Sequence, residues 1–318
     1  MKVIDVKNVF LKYPSAKSDT IRGISFAVQQ GEIFGFLGPS GAGKSTMQKI
    51  LTGTLRNYRG NVRVFDTEMK NRTSDYYENI GVDFEFPNFY SKFTAAENLK
   101  YFASLYSRKP LDPMELLEKV GLRHDADKKV ANYSKGMKMR LGFVRSLLHE
   151  PKVLFQDEPT SGLDPANARI LKDMILEQKR MGKTIILTTH NMHDAEELCD
   201  RVAFIVDGTI KAIDSPHALR KSGADTEVEY SFSENEKEIR NICTLSGLAH
   251  SQDFQSALKK GSLTSIHSKE QTLEDIFIET LKSIKKRYSF SDKIWFLFSI
   301  CLFQRRVHSC AFDHPPGI

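Results

Sequence analysis

The sequence is poor in the features that mark several protein classes. Its 318 residues contain only 4 cysteines, 11 prolines, 19 glycines and 1 tryptophan. The scattered cysteines form no Cys-x-x-Cys pair, which argues against a zinc site or a disulfide framework and fits a reducing compartment. The glycine and proline contents are too low for a collagen-like or linker protein. Since 40% of the residues are hydrophobic, the chain can bury a core and is not intrinsically disordered.

No apolar run is long enough to cross a membrane. The longest, from Ile294 to Phe303, has ten residues, whereas a spanning helix needs about 20. The N-terminus alternates apolar and polar residues like a strand and predicts no signal peptide. With 46 Lys and Arg against 40 Asp and Glu, the net charge of +6 permits a nucleic-acid or membrane-surface partner without requiring one.

Apolar strands alternate with helices through the first two thirds of the chain. Strand patterns cover residues 32–37, 80–84, 153–156, 184–188 and 202–206, and helical spacing covers 44–54, 95–106, 113–120, 136–149, 165–180 and 192–199. Runs of β-branched and apolar residues are typical of parallel strands that are buried on both faces. The predicted fold class is therefore α/β, with a mainly parallel sheet covered by helices.

A glycine-rich loop follows the strand at 32–37 and precedes the helix at 44–54. It consists of Gly38, Pro39, Ser40, Gly41, Ala42, Gly43, Lys44, Ser45 and Thr46. This matches the phosphate-binding pattern G-x-x-x-x-G-K-[ST] in its required context. The glycines allow backbone N–H groups to surround a phosphate, and the helix adds the positive end of its dipole. We expect the loop to bind a nucleotide, with Lys44 on the β- and γ-phosphates and Ser45 on Mg²⁺.

Two acids end a second buried strand. Asp157 and Glu158 directly follow the strand at 153–156, and ligands of open α/β sheets bind at this end of the strands. We expect Asp157 to hold Mg²⁺, directly or through water, and Glu158 to act as the general base that orients and polarises the attacking water. His190, after the strand at 184–188, is predicted to contact the γ-phosphate. Together with Lys44, Glu158 and His190 are the predicted catalytic residues.

These features occur with further motifs in an order that resembles the nucleotide-binding subunit of ABC transporters. The resemblance covers residues 1 to about 220, and its motifs are the Walker A loop 38–46, the Q-loop position Glu85, the signature Tyr133-Ser-Lys-Gly-Met137, Walker B at 153–158, the D-loop Ser161-Gly-Leu-Asp164 and the switch histidine His190. It implies that the nucleotide is ATP, that Tyr13 on the first strand stacks on adenine, and that Glu85 contributes to the Mg²⁺ site. The implied reaction is hydrolysis of ATP to ADP and phosphate.

The resemblance also implies an architecture. Residues 1–220 would form an ABC-type P-loop NTPase domain with a mainly parallel sheet, an antiparallel β subdomain and a helical insertion at about 86–150. Beyond it, the sequence pattern of residues 221–282 predicts a small C-terminal α+β appendage. Residues 283–318 lie beyond the resemblance and are interpreted as an atypical basic and aromatic tail.

The two C-terminal segments differ in pattern from the cassette. In the appendage, the sequence predicts a strand at 226–232 and helices at 234–245 and 273–281. The tail from residue 283 has six basic residues against two acidic ones, so most of the net charge lies there and the cassette is nearly neutral. An interfacial membrane anchor, an out-of-frame ending and the clipped start of a membrane domain all remain open, and we favour a poorly ordered, non-catalytic tail.

In this family, the signature of one subunit closes on the Walker A loop of another. The resemblance therefore implies a dimer, with a second copy or a similar ATPase subunit, in which Ser134, Lys135, Gly136 and Asp164 act on the partner's ATP. The insertion would dock on a separate integral membrane permease through the aromatic segment 86–93. The chain is then expected on the cytoplasmic face of the cell membrane, and no nucleic-acid partner is expected.

Three residues depart from the family pattern. Glu85 replaces a glutamine, which adds negative charge and removes an amide donor. Lys135 replaces the first glycine of the signature, where it would either add charge near the γ-phosphate or remain solvated. Gln156 replaces an apolar residue before Asp157, and a buried glutamine needs a hydrogen-bond partner.

Glu85, the signature and the ending Gln271 to Phe277 look most like ATPases of type-2 bacterial exporters, the drug and antibiotic efflux class. The predicted function is therefore the ATP-hydrolysing subunit that powers export through a separate permease. The alternative is a non-transport ABC ATPase that acts on ribosomes or nucleic acid. Those relatives carry two cassettes in one chain, a long coiled coil or a zinc insert. The sequence shows one cassette with a compact insertion, which favours transport.

Overall fold

The computed structural model describes residues 1–86, 88–221, 227–234, 237–269 and 271–287. In that part of the chain there are thirteen strands: β1 (Lys2–Leu11), β2 (Ile21–Gln29), β3 (Ile33–Leu37), β4 (Arg59–Val64), β5 (Thr67–Glu68), β6 (Ile80–Asp83), β7 (Val153–Asp157), β8 (Thr184–Thr189), β9 (Arg201–Val206), β10 (Thr209–Asp214), β11 (Glu227–Glu234), β12 (Lys237–Thr244) and β13 (Leu263–Lys269). The same residues form eleven α-helices: α1 (Lys44–Leu51), α2 (Ser74–Glu78), α3 (Ala95–Ala103), α4 (Pro113–Lys119), α5 (Lys135–Leu147), α6 (Pro165–Arg180), α7 (Met192–Leu198), α8 (Pro216–Lys221), α9 (Leu245–Leu248), α10 (Gln252–Lys260) and α11 (Leu273–Arg287). Short 3₁₀ helices lie at Met69–Asn71, Arg123–Asp125 and Val130–Asn132.

A six-stranded sheet with the order β10-β9-β3-β8-β7-β6 forms the centre of the first unit. The strands from β9 to β6 are parallel, and β10 pairs antiparallel with β9. Every residue of β3 and β8 is buried, as expected for parallel strands covered on both faces. The predicted α/β class and mainly parallel sheet are confirmed. The register places Leu37 beside Thr189 and Asp157 beside Thr188, so the carboxyl ends of three strands meet at one edge.

An antiparallel sheet with the order β2-β1-β4-β5 lies in the same unit. Its inward-facing residues share one hydrophobic cluster with the six-stranded sheet. Three rings join the two sheets, with centroids of Phe26 and Phe34 5.3 Å apart and those of Phe26 and Phe36 5.2 Å apart. Such offset and edge-on ring pairs add to the free energy of burial. The predicted antiparallel β subdomain is confirmed.

The chain between β6 and β7 is mainly helical. Its helices α3, α4 and α5 contact one another. Each begins after a residue whose side chain accepts a hydrogen bond from a free N–H of the first turn, namely Thr94, Asp112 and Ser134. At α3 the pairing is reciprocal, because Glu97 accepts from the backbone of Thr94. These caps fix where the helices start, and one of them belongs to the predicted signature.

The second unit begins at Pro216 and contains an antiparallel sheet with the order β12-β11-β13. Tyr230, Phe232 and Ala257 form its small core, in which β11 contacts α10. Tyr230 also bonds Ser251, the residue that caps α10, at 2.7 Å. The α+β character predicted for this part of the chain agrees with these elements.

The prediction of a helix at 234–245 is wrong. Residues Lys237–Thr244 form β12, which pairs with β11 along its whole length. Along this strand, half-buried Ile239, Asn241 and Cys243 alternate with exposed residues, which is the period of a sheet. Pairing with β11 supplies hydrogen bonds and burial that outweigh the local helical spacing.

Contacts between Cα atoms divide the chain into a unit at Met1–Ser215 and a unit that starts at Pro216. The predicted domain limits near residues 220 and 282 remain predictions. Beyond Arg287 the predicted tail lies outside the described residues, as does Thr226 at the start of one predicted strand. Among the helices of the described ranges, none has the length and apolar character needed to cross a membrane.

Candidate nucleotide-binding site

The phosphate loop joins β3 to α1 in a conformation that requires glycine at two positions. Gly38 has a φ of 153°, and Gly43, directly before α1, has a φ of 110°. A Cβ at Gly38 would lie 2.1 Å from the carbonyl oxygen of Ile205, and one at Gly43 would lie 2.8 Å from Cδ1 of Ile21. The loop thus follows a path closed to other residues at these positions. It leads into the N-terminus of α1, whose first N–H groups have no partner within the helix.

Lys44 is held inside this loop. Its side chain is buried, and Nζ donates hydrogen bonds to the carbonyl oxygens of Gly38, at 2.7 Å, and Pro39, at 3.2 Å. Burial lowers the pKa of Lys44, and nearby carboxylates, first among them Glu158, act in the opposite direction. The ammonium group therefore lies between the loop and the acids, where it is placed to bind a phosphate.

Asp157 and Ser45 converge at the carboxyl edge of the sheet. Ser45 Oγ donates to Asp157 Oδ1 at 3.4 Å, and the hydroxyl of Thr188 donates to the same oxygen. Burial raises the pKa of Asp157, and the Thr188 hydrogen bond offsets part of that effect. Glu85 is half-buried in the segment after β6, and its charge acts on the ammonium of Lys44. Carboxylate and hydroxyl oxygens are the donors that Mg²⁺ prefers, so this set fits the ion.

Glu158 and His190 form a hydrogen-bonded pair. Nδ1 of His190 lies 2.9 Å from Glu158 Oε2 and donates to it, because a carboxylate can only accept. The Glu158 side chain is nearly buried, whereas that of His190 is half-exposed. Glu158 has a φ of 51°, and its N–H donates to the carbonyl oxygen of Thr188 at 2.9 Å. A glutamate in the left-handed region is uncommon, and such strained residues cluster at active sites.

The Glu158 hydrogen bond raises the pKa of His190, although burial acts in the opposite direction. The protonated ring is therefore stabilised in the folded protein. This contribution is complete below the ordinary value of 6.5 and is lost as the pH rises through the raised pKa. We expect an NMR titration of the His190 ring to have a midpoint above 6.5 that falls in Glu158→Gln. The NMR signal of His190 is assigned by its loss in His190→Gln. Equal midpoints in the wild type and in Glu158→Gln would contradict the pairing of His190 with Glu158.

Tyr13 borders the phosphate loop. It lies two residues beyond the end of β1, which corrects its predicted placement on the strand. Its hydroxyl is 3.3 Å from Oγ1 of Thr46. Ser40 and Gly41 are exposed, whereas Ala42 is buried. Tyr13 is therefore adjacent to the predicted nucleotide site and stays the candidate for adenine stacking.

The signature residues lie at the start of α5. Oγ of Ser134 caps this helix by accepting from the N–H of Met137 at 3.2 Å, and the helix begins at Lys135, one residue earlier than predicted. The side chain of Lys135 is directed to the D-loop of its own chain, with Nζ 2.4 Å from where a Cβ on Gly162 would stand. Lys135 is exposed, so its charge remains available to an anion.

The D-loop adjoins the signature in the same chain. A Cβ on Gly136 would lie 3.5 Å from the amide of Asn167, in the first turn of α6. Asp164 caps α6 by accepting from the N–H groups of Ala166, at 3.1 Å, and Asn167, at 3.0 Å. Hydrogen bonds from the Asn167 side chain and backbone lower the pKa of Asp164. The four predicted trans-acting residues therefore form one group.

Gln156 is fully buried on β7 without a partner. Neither polar atom of its side chain has a hydrogen bond within the described residues. It lies beside Asp83 of β6, whose Oδ1 has no partner in the same part of the chain. Burial raises the pKa of Asp83 to about 7, against the charge of Arg145. The partner that sequence reasoning required for Gln156 is thus not supplied there.

Sequence reasoning missed Thr188. Thr188 is fully buried near the end of β8 and contacts both acids at the end of β7. Its hydroxyl donates to Asp157, and its carbonyl oxygen accepts from the N–H of Glu158. A signal existed, because Thr188 and Thr189 end an otherwise apolar strand at the edge where ligands bind. A buried hydroxyl at such a place requires a partner.

Comparisons with known proteins agree with this geometry. A family model described as ABC transporter matches residues 21–161. The chain is also 51% identical over 280 residues to the fluoroquinolones export ATP-binding protein of Mycobacterium tuberculosis, covering 87% of this chain and 93% of that protein. This chain belongs to the ABC transporter family. It is an ATP-binding subunit of that family and an ATPase, as the motifs predicted.

Further relatives of this ABC ATPase support the assignment. It is 39% identical over 226 residues to the Nod factor export ATP-binding protein I of Rhizobium sp. (strain N33), covering 70% of the chain and 74% of that protein. A solved ATP-binding subunit of an ABC transporter has a TM-score of 0.63 at 29% identity, covering 69% of this chain and 92% of that one. The fold is shared with a dimeric ATP-binding cassette in a post-hydrolysis state with ADP and Pi, at a TM-score of 0.61 and 23% identity, covering 67% of this chain and 98% of that one.

Proposed function

We propose that this ABC ATPase hydrolyses ATP with Glu158 as the general base and thereby powers export through a separate permease. The observation that carries the chemistry is the convergence of five side chains at one edge of the sheet, namely Lys44, Ser45, Asp157, Glu158 and His190. Cation, hydroxyl, carboxylates and imidazole there suit a phosphate, a metal ion and an attacking water in adjacent positions.

Binding and hydrolysis follow from these groups. Lys44 and the loop N–H groups bind the phosphate oxygens, and Tyr13 stacks on the adenine. Glu158 orients a water molecule and takes its proton while the oxygen attacks the γ-phosphorus and ADP leaves. His190 uses Nδ1 to hold Glu158 and presents its other ring nitrogen to the γ-phosphate.

Mg²⁺ fits the oxygen donors beside the loop. Ser45, Asp157 and Glu85 would hold it, and the carboxylate of Glu85 would supply the oxygen that the usual glutamine offers. When bound, the ion neutralises phosphate charge. Thr188 keeps Asp157 in place through its hydroxyl, so the chain itself orients the ligand.

The site is proposed to be completed by a second ATPase subunit. Ser134, Lys135, Gly136 and Asp164 are grouped at the starts of α5 and α6, where capped helix ends and an exposed lysine suit a phosphate. In a dimer each subunit would present this group to the ATP on its partner's Walker A loop. Both a second copy and a similar subunit would serve.

Export is the transport direction that the relatives support. The proteins at 51% and 39% identity are both named as export ATP-binding proteins, one for fluoroquinolones and one for Nod factor. The alternative of a non-transport ATPase on ribosomes or nucleic acid is not favoured by these names. We therefore place the subunit at the cytoplasmic face of the membrane, bound to a permease of the drug-efflux class.

An exposed aromatic surface supports the permease contact. It consists of Phe86, Tyr90, Phe93 and Tyr101, each more than 40% exposed, and we name it the aromatic surface. The ring of Tyr90 packs against Tyr101 at 5.1 Å and Phe93 at 5.4 Å, so these three rings form a continuous patch, and Phe86 precedes them in the same segment. Apolar patches of this kind on soluble domains mark protein or membrane contacts.

We expect Phe86→Ser to weaken co-purification with the co-expressed membrane permease at least about fivefold. Phe86 is 70% exposed, so the change removes contact area without disturbing a core, and basal ATPase activity should persist. Met181→Ser is the matched control, because Met181 is 59% exposed on the loop after α6. Equal recovery of the membrane protein with all three chains would remove the basis for this docking surface.

A further inference from the structure

The two segments that carry Glu158 and His190 are joined a second time beyond the catalytic pair. Thr160 lies two residues after Glu158, and its hydroxyl donates to Asp194 Oδ2 at 2.5 Å. Asp194 lies four residues after His190, in the first turn of α7. The Thr160–Asp194 contact therefore runs beside the Glu158–His190 contact and ties the same two chain segments together.

A buried lysine from a third segment holds this second contact. Lys172 lies on α6, and its Nζ is 2.5 Å from Asp194 Oδ1 and 2.6 Å from Glu197 Oε2. The side chains of Lys172 and Asp194 are only 11% and 6% exposed. Burial acts to lower the pKa of Lys172, but the two carboxylates outweigh it and hold the pKa above its ordinary value. The ion pair is thus charged and largely removed from water.

Lys172 also connects this network to the D-loop. Helix α6 starts at the D-loop cap Asp164, and Lys172 lies two turns further, about 12 Å along the axis. A helix transmits position along its length because its backbone hydrogen bonds are stiff. One ammonium group therefore links the turn after Glu158, the helix after His190 and the helix that carries Asp164.

A metal ion is a poorer explanation of the same cluster. His193, Asp194 and Glu197 bring potential ligand atoms within 4.8 Å of one another. The ammonium of Lys172, however, already lies within hydrogen-bond distance of both carboxylates. His193 is 80% exposed and lies 3.9 Å from Glu197. The cluster is an ion-pair network whose cation is supplied by the chain.

We propose that Lys172 is a positioning residue for ATP hydrolysis, which acts through Asp194 and Thr160 to keep Glu158 and His190 in contact. The inference rests on the proposed roles of Glu158 and His190. Neither Lys172 nor Asp194 is among the residues proposed to bind the nucleotide. We name the linked side chains of Thr160, Asp194 and Lys172 the clamp. Its loss lets the segments after β7 and β8 shift relative to each other, and a displacement of about 1 Å at a general base is enough to slow a reaction severely.

The test is steady-state hydrolysis of Mg-ATP by the purified full chain, expressed per ATP-binding site counted by titration. For Lys172→Met, kcat should fall at least about tenfold while the KM for ATP stays within about twofold, because the Walker A loop is untouched. Lys172→Arg should recover most of kcat, since a guanidinium group can bridge both carboxylates. Lys179→Met is the matched control. Lys179 lies on the same helix as Lys172 but pairs with Asp200, just before β9 and away from the site, so kcat should be unchanged.

Thr160→Val tests the contact without removing a buried charge, in case Lys172→Met does not fold. Thr160→Val should lower kcat several-fold. Where Lys172→Met folds, the Thr160→Val/Lys172→Met double variant should have a kcat no lower than that of the slower single variant, because both substitutions act on one network. A kcat per site at the wild-type level in Thr160→Val overturns the proposal, and so does a Lys172→Arg protein as slow as Lys172→Met. Wild-type turnover in Glu158→Gln would instead overturn the proposed function, so the two failures are distinguishable.

Discussion

Glu158→Gln is expected to lower ATP turnover by about 10²- to 10⁴-fold while leaving ATP binding intact. Glutamine has the size of glutamate and can still accept the hydrogen bond from Nδ1 of His190, which is 2.9 Å away in the native pair. It cannot accept a proton from water at neutral pH. The chemical step should fail in a site whose geometry is otherwise kept, so the loss should appear in kcat rather than in the affinity for ATP.

Glu177→Gln is the matched control for that variant. Glu177 pairs with Lys119 on the partly exposed surface of α6, away from the sheet edge that holds the site. Exposed pairs of this kind contribute little to stability, so turnover should equal that of the wild type. Turnover at the control level in Glu158→Gln would show that another group acts as the base.

Lys44→Ala is expected to reduce the affinity for ATP by about a hundredfold or more, because two or more charge-assisted hydrogen bonds to phosphate are lost. Lys44 Nζ donates to the carbonyl oxygens of Gly38 and Pro39, so the ammonium is held at the proposed binding position. Its removal also leaves the carboxylates of Asp157 and Glu158 facing the phosphates without an opposing charge.

Binding of a fluorescent ATP analogue, followed by equilibrium titration, measures this loss. Lys49→Ala is the control, because Lys49 is an exposed lysine in the last turn of the same helix. Its affinity should match the wild type. Undiminished affinity in Lys44→Ala would remove the assignment of residues 38–46 as the phosphate loop.

The site was predictable where its residues are contiguous. The phosphate loop and the acids after β7 are short motifs, and their contexts follow from the apolar runs on either side. Parallel pairing then brings the ends of β3, β7 and β8 to one edge without further information. This is why Lys44 and Asp157 could be predicted to share one site from the motifs and their contexts, whereas the prediction for His190 also needed the family resemblance.

The parts of the fold and of the site that could not be predicted from the sequence depend on contacts between residues far apart in the chain. The clamp joins Thr160, Lys172 and Asp194, and nothing in their spacing shows that a lysine in the middle of α6 faces two carboxylates. The same reason explains β12, where pairing with β11 overrides a local helical pattern. The contact of Lys135 with Gly162 also follows from the packing of α5 against α6, which the sequence does not display.

Sedimentation of Glu158→Gln with and without ATP tests the central claim most directly, because that claim requires two subunits to share each ATP site. Because the variant should bind ATP without hydrolysing it, we expect ATP to convert the monomer into a stable dimer and ADP to leave it monomeric. Lys44→Ala, which lacks the phosphate ligand, should remain monomeric with either nucleotide. A Glu158→Gln protein that binds ATP and still sediments as a monomer would contradict the shared site.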